Sequence, residues 1–353
     1  MIEELEQNHT PKYFVGRESE FFQLDSLISN FLEKNEKRNV LINGNTAQGK
    51  TLTLEKIREK YPDKIIYVSC AESLTPKKIF RKLYSGDFSS IMKHFQDKFQ
   101  KEGKKIFIFD EVNKIDNSNL EEFFNCLNTM FRILQVPIIV ITNRGTIERN
   151  IPADAWSTLR FNQIIFHPYN QNQIISILES RIREAKENSR DIIDIPEDSL
   201  FYLSMMVVKN DSDVRLAMSI LNDCINYSDF SEVKINELID NSVKQETKFW
   251  FNSLNETEKI FLDGLINIIY KKKVNSVSFS EICSYIFEKS QIKTSGRVSQ
   301  LIHKFKFNIP LLKTEYLFLG VGGGKEVKIS FISDKEIENL IFLFERSYDR
   351  NLQ

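Results

Sequence analysis

The sequence predicts an α/β domain built on a parallel sheet, then an all-helical segment, then a helical module that closes in a hairpin. Three observations carry this reading. Short apolar runs without two-residue alternation recur through the first 167 residues, separated by stretches of helical periodicity. After Pro168 the strand runs stop and helical stripes continue alone. The last hundred residues add helical patterns that lead to a glycine-rich turn. A chain of 353 residues is long enough for two or three domains, each with its own core.

The runs Val40–Ile42, Lys64–Val68, Ile106–Phe109, Ile138–Ile141 and Ile164–Phe166 suit strands of a parallel sheet covered on both faces, where every side chain meets apolar neighbours. Between the third and fourth, Leu120, Phe123, Phe124, Leu127, Met130, Phe131 and Leu134 return every three or four residues, as in a crossover helix lying on the sheet. Beyond Pro168, Ile174, Ile177, Leu178 and Ile182 form one helical stripe, and Val214, Ala217, Met218, Leu221 and Ile225 form another. The polar stretch Asn241–Glu246 marks a boundary, so the expected divisions are 1–167, 168–246 and 247–353. In the last of these, a helix from about Thr294 to Phe307 buries Val298, Leu301, Ile302 and Phe305, and a hairpin spans Gly320 to Lys328.

Composition narrows the class. Apolar residues make up 41% and charged residues 27%, values of a folded globular chain. No apolar run approaches the roughly 20 residues that span a bilayer, and Met1–Thr10 lacks the cationic and apolar regions of a signal peptide, so a cytoplasmic location is expected. Cys70, Cys126, Cys224 and Cys283 stand singly, without the spacing of a zinc site, and read as reduced core residues. Net charge is −1, so any affinity for nucleic acid must be local. One local excess exists: between Lys271 and Lys328, eleven Lys or Arg stand against Glu281, Glu288, Glu315 and Glu326.

The sharpest chemical signal is Gly44-Asn45-Thr46-Ala47-Gln48-Gly49-Lys50-Thr51, which fits G-x-x-x-x-G-K-[ST] and lies between an expected strand and an expected helix. Glycines let the backbone curl so that its N–H groups face phosphate, and the helix N-terminus favours negative charge. Lys50 then reaches the β/γ-phosphates and the Thr51 hydroxyl ligates Mg²⁺. About sixty residues on, the run Ile106–Phe109 ends in Asp110-Glu111. A buried strand delivers Asp110 to the sheet's C-terminal edge, where it holds Mg²⁺ through water, and Glu111 is placed to polarise the attacking water.

Further segments stand in a telling order: Tyr13-Phe14-Val15-Gly16-Arg17-Glu18; Tyr67-Val68-Ser69-Cys70 with Leu74-Thr75-Pro76; Ile139-Val140-Ile141-Thr142-Asn143; Phe166-His167-Pro168-Tyr169 with Ile177-Leu178-Glu179-Ser180-Arg181; and Ser212-Asp213-Val214-Arg215-Leu216-Ala217. With the phosphate loop they resemble the AAA+ superfamily, and within it the archaeal origin recognition and cell division control initiators. The resemblance implies an α/β AAA+ domain with a five-stranded parallel sheet and P-loop, a helical lid, and a C-terminal winged-helix domain. It implies ATP/ADP and Mg²⁺ as cofactors. Val15, Arg17, Tyr169 and Leu52 join Gly44–Thr51 around the nucleotide, Asn143 senses the γ-phosphate, and Arg215 reaches in from the lid. Glu111, Asn143 and Arg215 are thus the candidate catalytic residues, and Thr51 and Asp110 the metal ligands.

One departure concerns turnover. The family's arginine finger is expected just before the fifth strand, where this chain has Asp154-Ala155-Trp156-Ser157-Thr158-Leu159; Arg160, Arg149 and Arg144 are the substitutes at hand. A missing finger removes several powers of ten in rate, so slow hydrolysis acting as a switch is expected.

In the C-terminal module, Lys293, Thr294, Arg297, Gln300 and Lys304 lie on the polar face of the expected recognition helix, and Lys325 and Lys328 on the wing. The resemblance also implies a helical insertion that touches the duplex; Asp87–Lys104 lies there, with Lys93 and Lys98 as candidate contacts. The wing offers Lys where the family often has Arg, which weakens base reading. The implied function is an ATP-dependent replication initiator that binds double-stranded origin DNA. Family implication adds a replicative helicase and paralogous initiators as partners, no membrane, and association with the nucleoid. The alternatives are a STAND-type signalling NTPase whose winged helix packs internally against a protein partner, and a clamp-loader subunit, which fits the winged-helix ending poorly.

Overall fold

A computed structural model describes residues 3–6, 9–71, 75–143, 147–188, 194–209, 213–274, 276–290, 292, 294–305, 312–318 and 325–331. The chain divides into two compact units, Met1–Asn236 and Glu237–Gln353.

In the first unit the elements run α1 (Glu18–Lys34), β1 (Val40–Asn43), α2 (Lys50–Lys60), β2 (Ile65–Ser69), α3 (Pro76–Leu83), α4 (Phe88–Glu102), β3 (Ile106–Asp110), α5 (Asn117–Leu134), β4 (Ile138–Thr142), α6 (Ala153–Leu159) and β5 (Asn162–Ile165). They are followed by α7 (Gln171–Asn188), α8 (Glu197–Lys209), α9 (Val214–Tyr227) and α10 (Glu232–Ser253), which runs across into the second unit. The five strands form one parallel sheet in the order β2-β3-β4-β1-β5, as expected from the five apolar runs.

Every residue of β3 and β4 is buried, whereas β2 is mostly half-buried and β5 buries only Ile164. The expectation of strands covered on both faces therefore holds for the middle of the sheet and fails at its edges. An edge strand has a neighbour on one side only, so less of its surface is enclosed. The stripe on α5 is buried as its spacing requires, with Phe131 packed at the margin of the core. Asn39, 1% exposed, ties the start of the sheet together: its Nδ2 donates to Leu159 O (2.6 Å) and its Oδ1 accepts from Ile138 N (2.8 Å).

This strand order fixes where a ligand goes. The chain leaves β1 for the far edge at β2, returns through β3 and β4, and passes over β1 to β5. Connections leaving in opposite directions open a crevice at the carboxyl ends of the central strands. The loops after β1, β3 and β4 all end there.

The polar stretch 241–246 is not a break. It lies inside α10, and the two compact units separate nearby, between Asn236 and Glu237. Polar residues within a helix can carry the same composition as a linker.

In the second unit, α10 is followed by α11 (Glu256–Lys272), β6 (Val277–Ser278), α12 (Phe279–Lys289), α13 (Ser295–His303), β7 (Leu312–Phe318) and β8 (Lys325–Phe331). Capping boxes start α11 at Asn255 with Glu258 and α12 at Ser278 with Glu281. The three strands form an antiparallel sheet in the order β6-β8-β7, with β7 and β8 paired from Leu312 opposite Phe331 to Phe318 opposite Lys325. Phe261, Leu262, Leu265, Ile282, Ile286, Val298, Phe305 and Ile329 form its core, where Phe261 and Phe305 stack with centroids 5.5 Å apart. The helix expected over 294–307 ends at His303, and the tighter α-helical winding loosens at Lys304 and Phe305.

Candidate nucleotide site

The loop between β1 and α2 is shaped by two glycines. A Cβ on Gly44 would meet the Phe166 backbone oxygen at 2.7 Å, because β5 runs directly beside β1. Gly49 has φ +79°, and a Cβ there would strike the Tyr169 hydroxyl. Ala47 also takes a left-handed conformation (φ 57°), which completes the curl before α2 begins at Lys50. Lys50, 7% exposed, turns its Nζ back onto the loop, donating to Gly44 O (2.8 Å) and Asn45 O (2.5 Å).

Opposite the loop, β3 ends in Asp110, which is 4% exposed and held at both oxygens. The Tyr67 hydroxyl on β2 donates to Oδ2 (2.8 Å), and Glu111 N donates to Oδ1 (2.7 Å). Burial pushes the Asp110 carboxyl above its ordinary range, and these hydrogen bonds pull it back. Glu111 follows with φ 56°, a conformation that a residue with a Cβ adopts at a cost, and Ser69 Oγ donates to its Oε2 (3.3 Å). Thus the last turn of β2 steadies both acids, a role that no motif spacing indicates.

A cleft of about 460 Å³ gathers most of the expected residues: Val15, Thr46, Ala47, Gln48, Gly49, Lys50, Thr51, Leu52, Asp110, Glu111, Asn143, Tyr169 and Arg215 all line it. Its size suits a nucleotide. Arg215 follows Asp213, the N-cap of α9, and its Nη2 lies 3.3 Å from Asp213 Oδ2.

Three expected residues sit differently. Gly44 and Asn45 do not line the cleft and instead offer their carbonyls to Lys50. Arg17 lies behind the phosphate loop, 2% exposed, with Nε donating to Gln48 O (2.9 Å), Nη1 to Glu20 (2.9 Å) and Nη2 to His167 O (2.5 Å). Its guanidinium carbon stands 3.9 Å from the Tyr169 ring centroid. With every nitrogen engaged by the protein, Arg17 is placed to brace the loop rather than to touch a ligand.

The remaining wall had no role assigned from the sequence, although Tyr13, Ser180 and Arg181 fall in segments that carry the resemblance. His9, Thr10, Pro11 and Tyr13 line it from the N-terminal segment, joined by Ser180 and Arg181 on α7 and Met218 on α9. Among the described residues there is no group of three or more His, Cys, Asp or Glu placed to hold a metal. Thr51 and Asp110 supply one hydroxyl and one carboxylate, hard oxygen donors that fit a magnesium ion completed by phosphate and water.

Of the finger substitutes, Arg160 caps α6 in a left-handed conformation (φ 44°) with Nε donating to Ser157 O (3.1 Å). Arg144 and the Arg149 side chain lie outside the described residues. Arg132 on α5, unmarked by sequence, donates from Nη2 to Thr158 Oγ1 (3.0 Å).

Of the residues expected to meet DNA, Arg297 and Gln300 are exposed on α13, where Arg297 Nη1 donates to Gln300 Oε1 (3.4 Å). Thr294 is exposed at the N-cap. Lys304 departs from expectation: its Nζ pairs with the buried Glu258 at 2.5 Å, so its charge is spent within the unit. Lys328 is half-buried on β8; Lys293 and the Lys325 side chain lie outside the described residues. In the first unit, α4 buries Ile91, Met92, Phe95 and Phe99 and exposes Lys93, while Lys98 approaches Glu102 at 3.9 Å. Neighbouring α3 exposes Lys77, Lys78, Arg81 and Lys82, a denser cluster that sequence reading passed over because its apolar face, Ile79 and Phe80, is so short.

The parallel sheet, the phosphate loop and the acids at the end of β3 define an AAA domain, and the family model described as "AAA domain" matches residues 33–149. The chain is similar to ORC1-type DNA replication proteins. It is 26% identical over 198 residues to "ORC1-type DNA replication protein 2" of Thermoplasma acidophilum, covering 50% of this chain and 49% of that protein. With "ORC1-type DNA replication protein" of Pyrococcus furiosus, identity is 23% over 99% of this chain and 90% of the relative. The chain thus spans about half the length of the first of these relatives and most of the second. Among solved structures, the Aeropyrum pernix ORC1 protein in complex with DNA superimposes with a TM-score of 0.72 at 20% identity, covering 99% of this chain and 97% of the other. These relatives are replication proteins, which does not favour the signalling-NTPase alternative. No helix among the described residues is long and apolar enough to cross a membrane.

Proposed function

We propose that this chain is an ATP-dependent replication initiator, in which nucleotide in the cleft sets the conformation of the first unit and the second unit grips double-stranded origin DNA as a winged helix. The observation that carries the reading is the convergence of Lys50, Thr51, Asp110, Glu111, Asn143 and Arg215 on one cleft between sheet edge and lid helices.

The chemistry follows from placement. Lys50 and the backbone N–H groups at the start of α2 bind the β- and γ-phosphates, and Thr51 with Asp110 holds magnesium. When bound, the ion offsets phosphate charge. Glu111 orients the attacking water, Asn143 contacts the γ-phosphate, and Arg215 on α9 reports its presence to the lid. Because Arg215 sits on a lid helix and Lys50 on the sheet side, loss of the γ-phosphate weakens one of the ties between them. That is the proposed ATP/ADP switch. Arg160 is the proposed finger, since it stands just before β5 and pairs with no acid among the described residues.

In the second unit, α13 presents Arg297 and Gln300 to the major groove, with Lys325 and Lys328 on the β7–β8 hairpin near phosphate. The α3–α4 segment gives a second contact through Lys77, Lys78, Arg81 and Lys93. Calorimetry with ATP and ADP, then duplex binding across a salt series with each nucleotide, tests the reading. It expects nucleotide uptake lost in Lys50→Ala and steep salt dependence on DNA. A folded protein that takes up no adenine nucleotide refutes it.

A further inference from the structure

The N-terminal wall of the cleft has an unusual construction. Residues 9–17 have neither helix nor strand, yet His9, Thr10, Pro11, Tyr13 and Val15 line the cleft. One face of α7 holds His9, Lys12, Tyr13 and Gly16, while Arg17 is anchored on the phosphate loop. Glu184, 5% exposed, accepts from His9 Nε2 (2.9 Å) and from Lys12 N at both carboxylate oxygens (3.1 and 3.1 Å). Arg181, 6% exposed, donates from Nη2 to His9 O (3.2 Å), while its buried Nη1 has no hydrogen-bond partner among the described residues. Glu187 receives Lys12 Nζ (2.5 Å) and the Tyr13 hydroxyl (2.6 Å), and Gln173 donates to Gly16 O (3.0 Å). One turn further, Asn188 Nδ2 donates to Glu4 Oε1 (2.7 Å).

Positions 173, 181, 184, 187 and 188 recur at helical spacing, so one stripe of α7 serves one segment of chain. The other face of the same helix buries Ile174, Leu178 and Ile182. A segment without secondary structure loses conformational entropy on docking and regains it on release, which places it among the first parts of a fold to open. A ligand that contacts only the docked segment binds in proportion to the docked fraction.

We propose that residues 9–16 form a clasp over the nucleotide, latched by α7, and that Glu184 is the positioning residue setting how long a nucleoside di- or triphosphate stays bound. Glu184 does not line the cleft; it acts through His9 and Lys12. The inference rests on the nucleotide reading of the cleft and goes beyond it by separating retention, governed by α7, from phosphate capture, governed by Lys50.

The test is the dissociation rate of a fluorescent adenosine diphosphate from the full chain, chased with unlabelled nucleotide. Glu184→Ala is expected to release it about tenfold faster, the loss of hydrogen bonds to a charged acceptor, with an unchanged magnesium requirement because the phosphate end is untouched. Glu184→Gln, which still accepts from Lys12 N, should recover most of the difference. The exposed pair offers a second variant that does not threaten the core: Glu187→Ala should release about two- to threefold faster. Hydrogen exchange over residues 9–16 should slow on adding adenosine diphosphate in the parent and slow less in both alanine variants. Wild-type release rates in folded Glu184→Ala and in Glu187→Ala overturn the clasp while leaving the nucleotide site standing. A parent protein that binds no nucleotide overturns both.

Discussion

In the first unit the charges that shape the site are buried and bonded to backbone: Arg17 is 2% exposed, Asp110 4% and Lys50 7%. In the second, Arg297 and Gln300 stand in solvent, and Lys304 is spent on Glu258. On the proposed function, the contrast follows from ligand chemistry. A small polyphosphate is held by enclosing it, which requires charges fixed in advance at the cost of desolvation. A duplex is met along an open face, where exposed charges displace counterions and geometry is looser. Substitutions should therefore be costly and specific in the first unit and mild and salt-dependent in the second.

The strongest way to break this contrast is Arg17→Ala. Removing a buried cation leaves Glu20 and the carbonyls of Gln48 and His167 without their donor, and should cost about 3–5 kcal/mol in denaturant unfolding. Arg17→Lys should not restore it, because an ammonium cannot reach three acceptors in a plane while lying on the Tyr169 ring. A loss below about 1 kcal/mol would mean that the loop is braced elsewhere.

Lys50→Ala comes next, with nucleotide affinity reduced about a hundredfold in calorimetry and the unfolding midpoint little changed. The same residue predicts a pH signature. Burial pushes the Lys50 ammonium down to about 8, with Asp110 opposing the shift and Arg17 and Arg215 adding to it. Phosphate alongside raises it again, so binding should take up a proton between about pH 8 and pH 10, and affinity should fall as pH rises through 8. Unliganded folding runs the other way. Unfolded lysine titrates near 10.4, so the unfolded chain holds more protons in that window and stability rises with pH across it.

Tyr67→Phe sharpens the contrast inside the first unit. The hydroxyl holds Asp110 Oδ2 without lining the cleft, so its loss should raise the magnesium concentration needed for tight triphosphate binding about fivefold, with magnesium-free binding unchanged. An unchanged magnesium dependence would reduce Tyr67 to a packing role. In the second unit the expected effects are smallest. Arg297→Ala should weaken duplex binding and lower the salt slope by about 1, while Lys304→Ala should chiefly cost about 1 kcal/mol of stability through the unpaired Glu258.

Much of this was legible beforehand. The phosphate loop, the acids after the third apolar run and the α5 stripe each follow from local chemistry, and the structure places them as their spacing requires. The polar stretch 241–246 misled because solvated helix and linker share a composition. Arg17 was expected at the nucleotide because a motif gives the neighbourhood of a side chain and not its bonds. The bonds that tie His9 and Lys12 to Glu184 left no trace, since the partners are about 175 positions apart and none of the three stands in a motif.

The sequence by itself determined the strands, the helices and the nucleotide loop, because apolar periodicity and glycine placement act over a few residues. Tertiary structure alone decided which charges are spent on the protein and which remain for a ligand: Arg17 on Gln48, Lys304 on Glu258 and Glu184 on the N-terminal segment. The physical reason is distance along the chain. An ion pair or hydrogen bond depends on position to within an ångström, and only the packed fold brings together groups separated by 31, 46 or 175 residues.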